Sequence, residues 1–141
     1  MRGVYVLDAN IFLRVLVREE KKTFDECRRL LLSVKQNKIK AVIPGLVLSE
    51  VVWTLSSYYR FSKDKVIRGV RSILQLSGMR IVDRYDYRLA LDLYRDHRVK
   101  YIDTCIASIE EVQRKKWTVV SYDRDFDALD VLRREPSELL M

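Results

Sequence analysis

Asp8, Glu50, Asp103 and Asp123 are far apart in the chain, yet each stands at or near a place where an apolar run gives way to a helical pattern. Carboxylates gathered from distant segments are how a protein supplies the oxygen ligands that hard divalent ions such as Mg2+ require. Taken singly, Asp8 and Asp103 also suit helix N-caps, and Asp123 and Asp125 suit a turn. Glu50 is harder to explain that way. Its helical neighbours Leu46, Val47, Val51 and Trp53 are apolar, so an ionised carboxylate there is costly unless it is paired or bound to a metal.

Other chemistries lack their residues. His97, the one histidine, sits between Asp96 and Arg98 in what reads as a solvated helix end, a poor foundation for a Ser-His-Asp triad. Gly3, Gly45, Gly69 and Gly78 are too scattered to build a phosphate-cradling loop or a dinucleotide-binding turn. Cys27 and Cys105 cannot make a four-ligand zinc site and read as two reduced, buried thiols of a cytoplasmic protein. Apolar runs are too short for a membrane span. The 27 basic and 20 acidic residues leave a net charge of +7, which favours a polyanionic partner such as nucleic acid without requiring one. If the chain is an enzyme, carboxylates carry the work.

The elements that must position them follow from the hydrophobic pattern. At 141 residues, 48% hydrophobic and 33% charged, the chain suits a single domain over residues 1–135, with 136–141 as a loosely held tail. Residues 3–7 form a nearly continuous apolar run, as expected of a strand covered on both faces, and 41–43, 80–82 and 117–121 are further strands, with 131–132 as a fifth. Helical stripes are predicted after Asp8 and over 23–35, 44–59, 63–76, 85–95 and 102–115. Strands separated by helices imply an α/β fold, a three-layer α/β/α sandwich around a central, mainly parallel sheet of four to five strands. In such a sheet, strand C-termini and the N-termini of the following helices share one edge, where ligands bind. Asp8, Asp103 and Asp123 all fall at that edge. Glu50 lies about 9 Å along its helix, within reach of the same rim.

Four segments together resemble the PIN-domain ribonucleases, especially the small prokaryotic VapC-type toxins of type II toxin–antitoxin systems. They are Val6-Leu7-Asp8-Ala9-Asn10, Ser49-Glu50, the run from Lys100 to Ala107 around Asp103, and Ser121-Tyr122-Asp123-Arg124-Asp125-Phe126. The resemblance runs from about Val4 to Val131 and departs at Thr104, where many relatives carry Ala. It implies an acidic quartet of Asp8, Glu50, Asp103 and Asp123 that holds Mg2+ or Mn2+, with Asp125 an accessory acid and Asn10 and Ser121 orienting metal or water. It also implies hydrolysis of RNA phosphodiesters to 5′-phosphate and 3′-hydroxyl ends, and a cognate antitoxin as partner.

Lys63, Lys65, Arg68 and Arg71, together with Lys100, are candidates to hold the RNA backbone, although a solvated helix face accounts for the first four equally well. The resemblance, together with the apolar and aromatic excess at Trp53, Leu55, Tyr58, Tyr59 and Phe61, implies a homodimer, the alternative being that these residues fill the core of a monomer. Other readings keep the same rim: a non-toxin PIN nuclease in RNA processing or decay, or a catalytically inactive RNA-binding protein. A carboxylate phosphatase is disfavoured because Asn10 replaces the second acid of its Asp-x-Asp pair.

Overall fold

Val4–Leu7 pairs on both sides and forms β1, the middle strand of the sheet in a computed structural model that describes residues 3–140. Chain order then gives α1 (Ala9–Val17), α2 (Lys21–Lys35), β2 (Lys40–Pro44), α3 (Gly45–Trp53) and α4 (Lys63–Leu74). These are followed by β3 (Met79–Val82), α5 (Tyr87–Asp96), α6 (Tyr101–Ala107), α7 (Glu110–Gln113), β4 (Trp117–Val120) and β5 (Arg133–Arg134). All pairs are parallel, in the order β3-β2-β1-β4-β5. The chain builds outward from β1 through β2 to β3, then crosses back to place β4 on the other side of β1. A reversal of that kind opens a crevice at the strand C-termini between β1 and β4. Asp8 and Ser121 stand directly at its two lips.

The strands are apolar because both faces are covered: Val6, Leu7, Val42, Ile43, Val119 and Val120 are buried, with Phe12, Leu30, Leu55, Ile106 and Phe126 filling the space around the sheet. α1 packs on α2 and α3, and α3 on α4, while α5 packs on α6. The α/β expectation is met, with five strands and helices flanking the sheet. Among the described residues no helix is long and apolar enough to cross a membrane.

Four local expectations are corrected. The helix predicted over 102–115 breaks after Ala107, because the Ser108 hydroxyl donates back to the Cys105 carbonyl at 2.7 Å and Ile109 leaves helical geometry for a buried position. The helix predicted over 44–59 is α-helical only to Trp53 and widens to a π turn over Thr54–Tyr58, which closes with the Tyr59 amide donating to the Thr54 carbonyl. The fifth strand falls at Arg133–Arg134, two residues beyond the apolar pair Val131-Leu132, because register on β4 rather than hydrophobicity fixes it. The supposed tail folds as a 3₁₀ turn over Pro136–Leu139 with a Glu135/Glu138 capping box, and Pro136 and Leu139 are buried.

Gly78, between α4 and β3, has φ +84°, and a Cβ there would sit 2.7 Å from the Val34 carbonyl oxygen. Gly78→Ala is expected to lower stability by about 1–3 kcal/mol, combining the left-handed penalty with a backbone clash. Chemical denaturation checks this; an unchanged midpoint would show that the turn can rearrange freely.

Candidate metal centre

Asp8 ends β1 and begins α1. Its Oδ1 accepts the Ala9 amide at 2.8 Å, so it is a helix cap, but its Oδ2 also accepts the Ser121 hydroxyl at 2.7 Å, which ties it to β4 across the crevice. Ser121 Oγ in turn accepts the Asn10 Nδ2 at 2.9 Å and the Asp123 amide at 2.9 Å. That fills the hydroxyl's bonding capacity. Asn10 Oδ1 accepts the Tyr122 amide at 3.4 Å. Ser121 and Asn10 thereby lock the first strand end to the fourth and fix Asp8.

Asp123 caps the short 3₁₀ turn Arg124–Leu129, its Oδ1 accepting the Asp125 amide at 2.9 Å. This brings Asp125 inward. Ligand oxygens of Asp103, Asp123 and Asp125 lie within 4.8 Å of one another, so Asp125 stands beside the other two acids. Asp103 arrives from the first turn of α6 and is fully buried, and neither carboxylate oxygen has a hydrogen-bond donor. Lys100, not Asp103, occupies the N-cap position, so a capping role for Asp103 is excluded. Glu50 reaches in from α3 with its Oε1 buried and also without a donor.

The electrostatics follow from crowding. Burial, then the Asp8 and Asp123 charges, pushes Asp103 up to about 9 from its usual 3.8. Burial also raises Asp8, against the hydrogen bonds from Ser121 and Ala9. Glu50 is raised by burial and by the Asp8 charge. Burial would raise Asp123 as well, but the Asp125 amide, Asp103 and Lys100 outweigh it and hold that carboxyl low. Lys100 Nζ lies 3.3 Å from Asp123 Oδ2. An orphaned, fully buried carboxylate amid other carboxylates, with oxygen as the only donor type, fits a hard divalent cation.

Similarity to known proteins agrees with this geometry. The PIN domain family profile matches residues 5–132. The chain belongs to the PIN domain family. A VapC ribonuclease of Aquifex aeolicus (strain VF5) is 25% identical over 133 residues, covering 94% of this chain and 97% of that relative. Among solved structures, VapC20 of Mycobacterium tuberculosis, a sarcin-ricin loop cleaving toxin, superposes with TM-score 0.68 at 13% identity, over 94% of this chain and 99% of that one. The VapBC2 structure from Rickettsia felis, bound to a promoter DNA fragment, gives 0.65 at 18% identity, over 94% and 98%. PAE2754 of Pyrobaculum aerophilum gives 0.67 at 14%, over 98% and 93%.

In this PIN domain the basic residues predicted for α4 are not brought to the acids. Among the described residues none of Lys63, Lys65, Arg68 and Arg71 pairs with the cluster, and Lys65 instead lies 4.0 Å from the centre of the Phe61 ring. Lys100 is the exception. Two anchors escaped the sequence reading. Arg133 donates to the Ser121 carbonyl at 3.0 Å and to Asp127 and Glu135, clamping the turn that carries Asp123 and Asp125. The Tyr122 hydroxyl donates to Glu26 at 2.9 Å and lies 3.5 Å from the Cys27 sulfur, beneath the Arg14 guanidinium. A tyrosine between Ser121 and Asp123 gave no signal, and an arginine after an apolar pair reads as surface. Cys27 is buried and its thiol is pushed up to about 11 by burial, as an inert core thiol should be.

Asp103 sets a pH test. A carboxyl whose folded pKa is raised contributes stability below its unfolded pKa, and that contribution is lost as pH rises toward about 9. Chelator-treated protein should therefore lose thermal stability between pH 5 and 9, and Asp103→Asn should be more stable than the parent at pH 8 by about 1–3 kcal/mol. Mg2+ at about 100 times its dissociation constant should stabilise the parent by roughly 2.7 kcal/mol and Asp103→Asn much less. Parallel pH curves and equal Mg2+ shifts would remove Asp103 from the metal centre.

Proposed function

We propose that this chain is a Mg2+- or Mn2+-dependent endoribonuclease and the toxin of a toxin–antitoxin pair. The observation that carries the reading is Asp103: fully buried, without a donor, and facing Asp123 and Asp125 at the crevice of a PIN domain. Asp8, Glu50, Asp103 and Asp123 are the metal-holding acids, with Asp125 beside them. A divalent ion bound there supplies an activated water and neutralises charge on the scissile phosphate. The chain's own residues do the positioning. Ser121 and Asn10 hold Asp8 in register with β4, the Asp125 amide orients Asp123, and Arg133 keeps the Asp123 turn against the strand end. Lys100 presents a positive charge at the mouth of an otherwise negative crevice, suited to an RNA phosphate. No histidine base is needed.

Purified protein should cut RNA with Mg2+ or Mn2+ and stop on addition of EDTA. Asp8→Asn and Asp103→Asn should each lower the rate about 100-fold or more while remaining folded. Cleavage that persists in EDTA, or in both variants, sinks the proposal.

The partners follow from the same reading: RNA as substrate, in the cytoplasm, and an antitoxin, as the Rickettsia felis VapBC2 complex is one in which a relative is found with its partner. Self-association as a homodimer is supported by side chains the fold leaves uncovered. Trp53 is 65% and Tyr58 69% exposed, and a separate apolar cavity of about 550 Å3 is lined by Val52, Val66, Ile67, Val70 and Leu74. Leu55, by contrast, is fully buried, and Tyr59 and Phe61 pack on the core, so they belong to the monomer. Light scattering at micromolar concentration should give twice the 16.8 kDa chain mass, and Trp53→Glu should return it to the monomer. A parent of monomer mass rejects the dimer.

A further inference from the structure

Lys100 has a position no acid-site reading requires. It is the N-cap residue of α6 but caps nothing with its side chain, which is 57% exposed and so free to swing. Its ammonium nonetheless turns inward to Asp123 Oδ2 at 3.3 Å, and the charges of Asp103, Glu50, Asp123 and Asp8 all bear on it. Among the described residues it is the sole cation paired with any of Asp8, Glu50, Asp103, Asp123 and Asp125. Asp123 Oδ1 accepts the Asp125 amide, so Oδ2, the oxygen with no backbone partner, is the one the ammonium faces.

We propose that Lys100 is a tethered counter-ion that holds Asp123 in the metal-free protein, gives it up when a divalent ion is bound, and is then free to pair with a phosphate of the substrate. This rests on the metal-dependent reading above and adds a competition internal to the chain. Two cations seeking one carboxylate oxygen are linked thermodynamically: whatever Lys100 contributes to the metal-free state and loses in the loaded state is subtracted from metal affinity. A lysine that stayed beside Asp123 in the loaded state would oppose the metal by charge repulsion alone, so both cases give tighter metal binding on its removal and they differ in the substrate step, where only a released ammonium pairs with a phosphate.

Lys100→Gln removes the charge while keeping length and polarity. Calorimetric titration with Mn2+ alone, at fixed ionic strength and without RNA, should show about three- to tenfold tighter binding in the variant. Thermal melts should show the variant less stable than the parent in EDTA and level with it in saturating Mn2+. Lys63→Gln, which removes the same charge from α4, should leave the Mn2+ constant unchanged and so excludes a general effect of net charge. With RNA at saturating Mn2+, Lys100→Gln should lower kcat/KM. Metal affinity and turnover thus move in opposite directions, a pattern that a purely structural lysine does not give. Equal Mn2+ constants in parent and Lys100→Gln, or the same tightening in Lys63→Gln, overturn the counter-ion role and leave the metal-centre reading standing. A parent that binds no Mn2+ overturns both.

Discussion

Three carboxylates, Asp103, Asp123 and Asp125, cluster at one crevice with Asp8 and Glu50 near enough for charge to couple them, and Asp103 is sealed from water with neither oxygen satisfied. Two forces oppose that arrangement, desolvation of each charge and repulsion between them, and each is costly in a protein interior. Much of the surrounding structure is a response to this. Asp8 is held by a backbone amide and a serine hydroxyl, and Asp123 by a backbone amide and a lysine, while Asp103 and Glu50 remain unmet. A site of this kind accepts a disadvantage in the metal-free fold that binding of a cation reverses.

The sheet makes the crowding possible. β1 and β4 are neighbours only because the chain crosses back from β3, and the crevice they share receives Asp8 from one strand end and Ser121-Tyr122-Asp123 from the other. The Asn10–Ser121–Asp8 hydrogen bonds join segments more than 110 residues apart. They continue the parallel ladder as the Asp8 amide donates to the Val120 carbonyl. Arg133, on the outer strand, then holds the Ser121 carbonyl and the Asp127 carboxylate from behind. The acids sit on a rigid frame of strand ends, which is what a site dependent on ångström-scale placement of ligands needs. Lys100, on a helix start, is the one partner in the group whose side chain is largely exposed.

A large part of this was legible in the sequence. Continuous apolar strands and helical stripes between them determined the α/β class, and acids at strand ends marked the edge at which Asp8 and Asp123 lie. Glu50 stood out because a charge within Leu46, Val47, Val51 and Trp53 violates the helix's own pattern, and the structure shows the buried, unpartnered oxygen that this violation implied. These are local signals, and local spacing carries them.

What the sequence did not decide were matters of register and of shared partners. Asp125 joins the cluster because Asp123 caps a 3₁₀ turn, a geometry that a run of alternating acids does not specify. Ser121 bonds Asp8, Asn10 and the Asp123 amide, Asn10 bonds Ser121 and the Tyr122 amide, and only the pairing of β1 with β4 makes them neighbours. The basic face of α4 and Lys100 look alike as residues, yet the tertiary structure puts only Lys100 among the acids. The helix over 102–115 ends at Ser108 because that hydroxyl donates to its own helix while accepting the Asp86 amide from a distant segment. Residue type and spacing determine which groups can do chemistry and on which edge of a sheet they lie. Which hydrogen-bond partner each one takes depends on long-range pairing, and only the folded chain decides that.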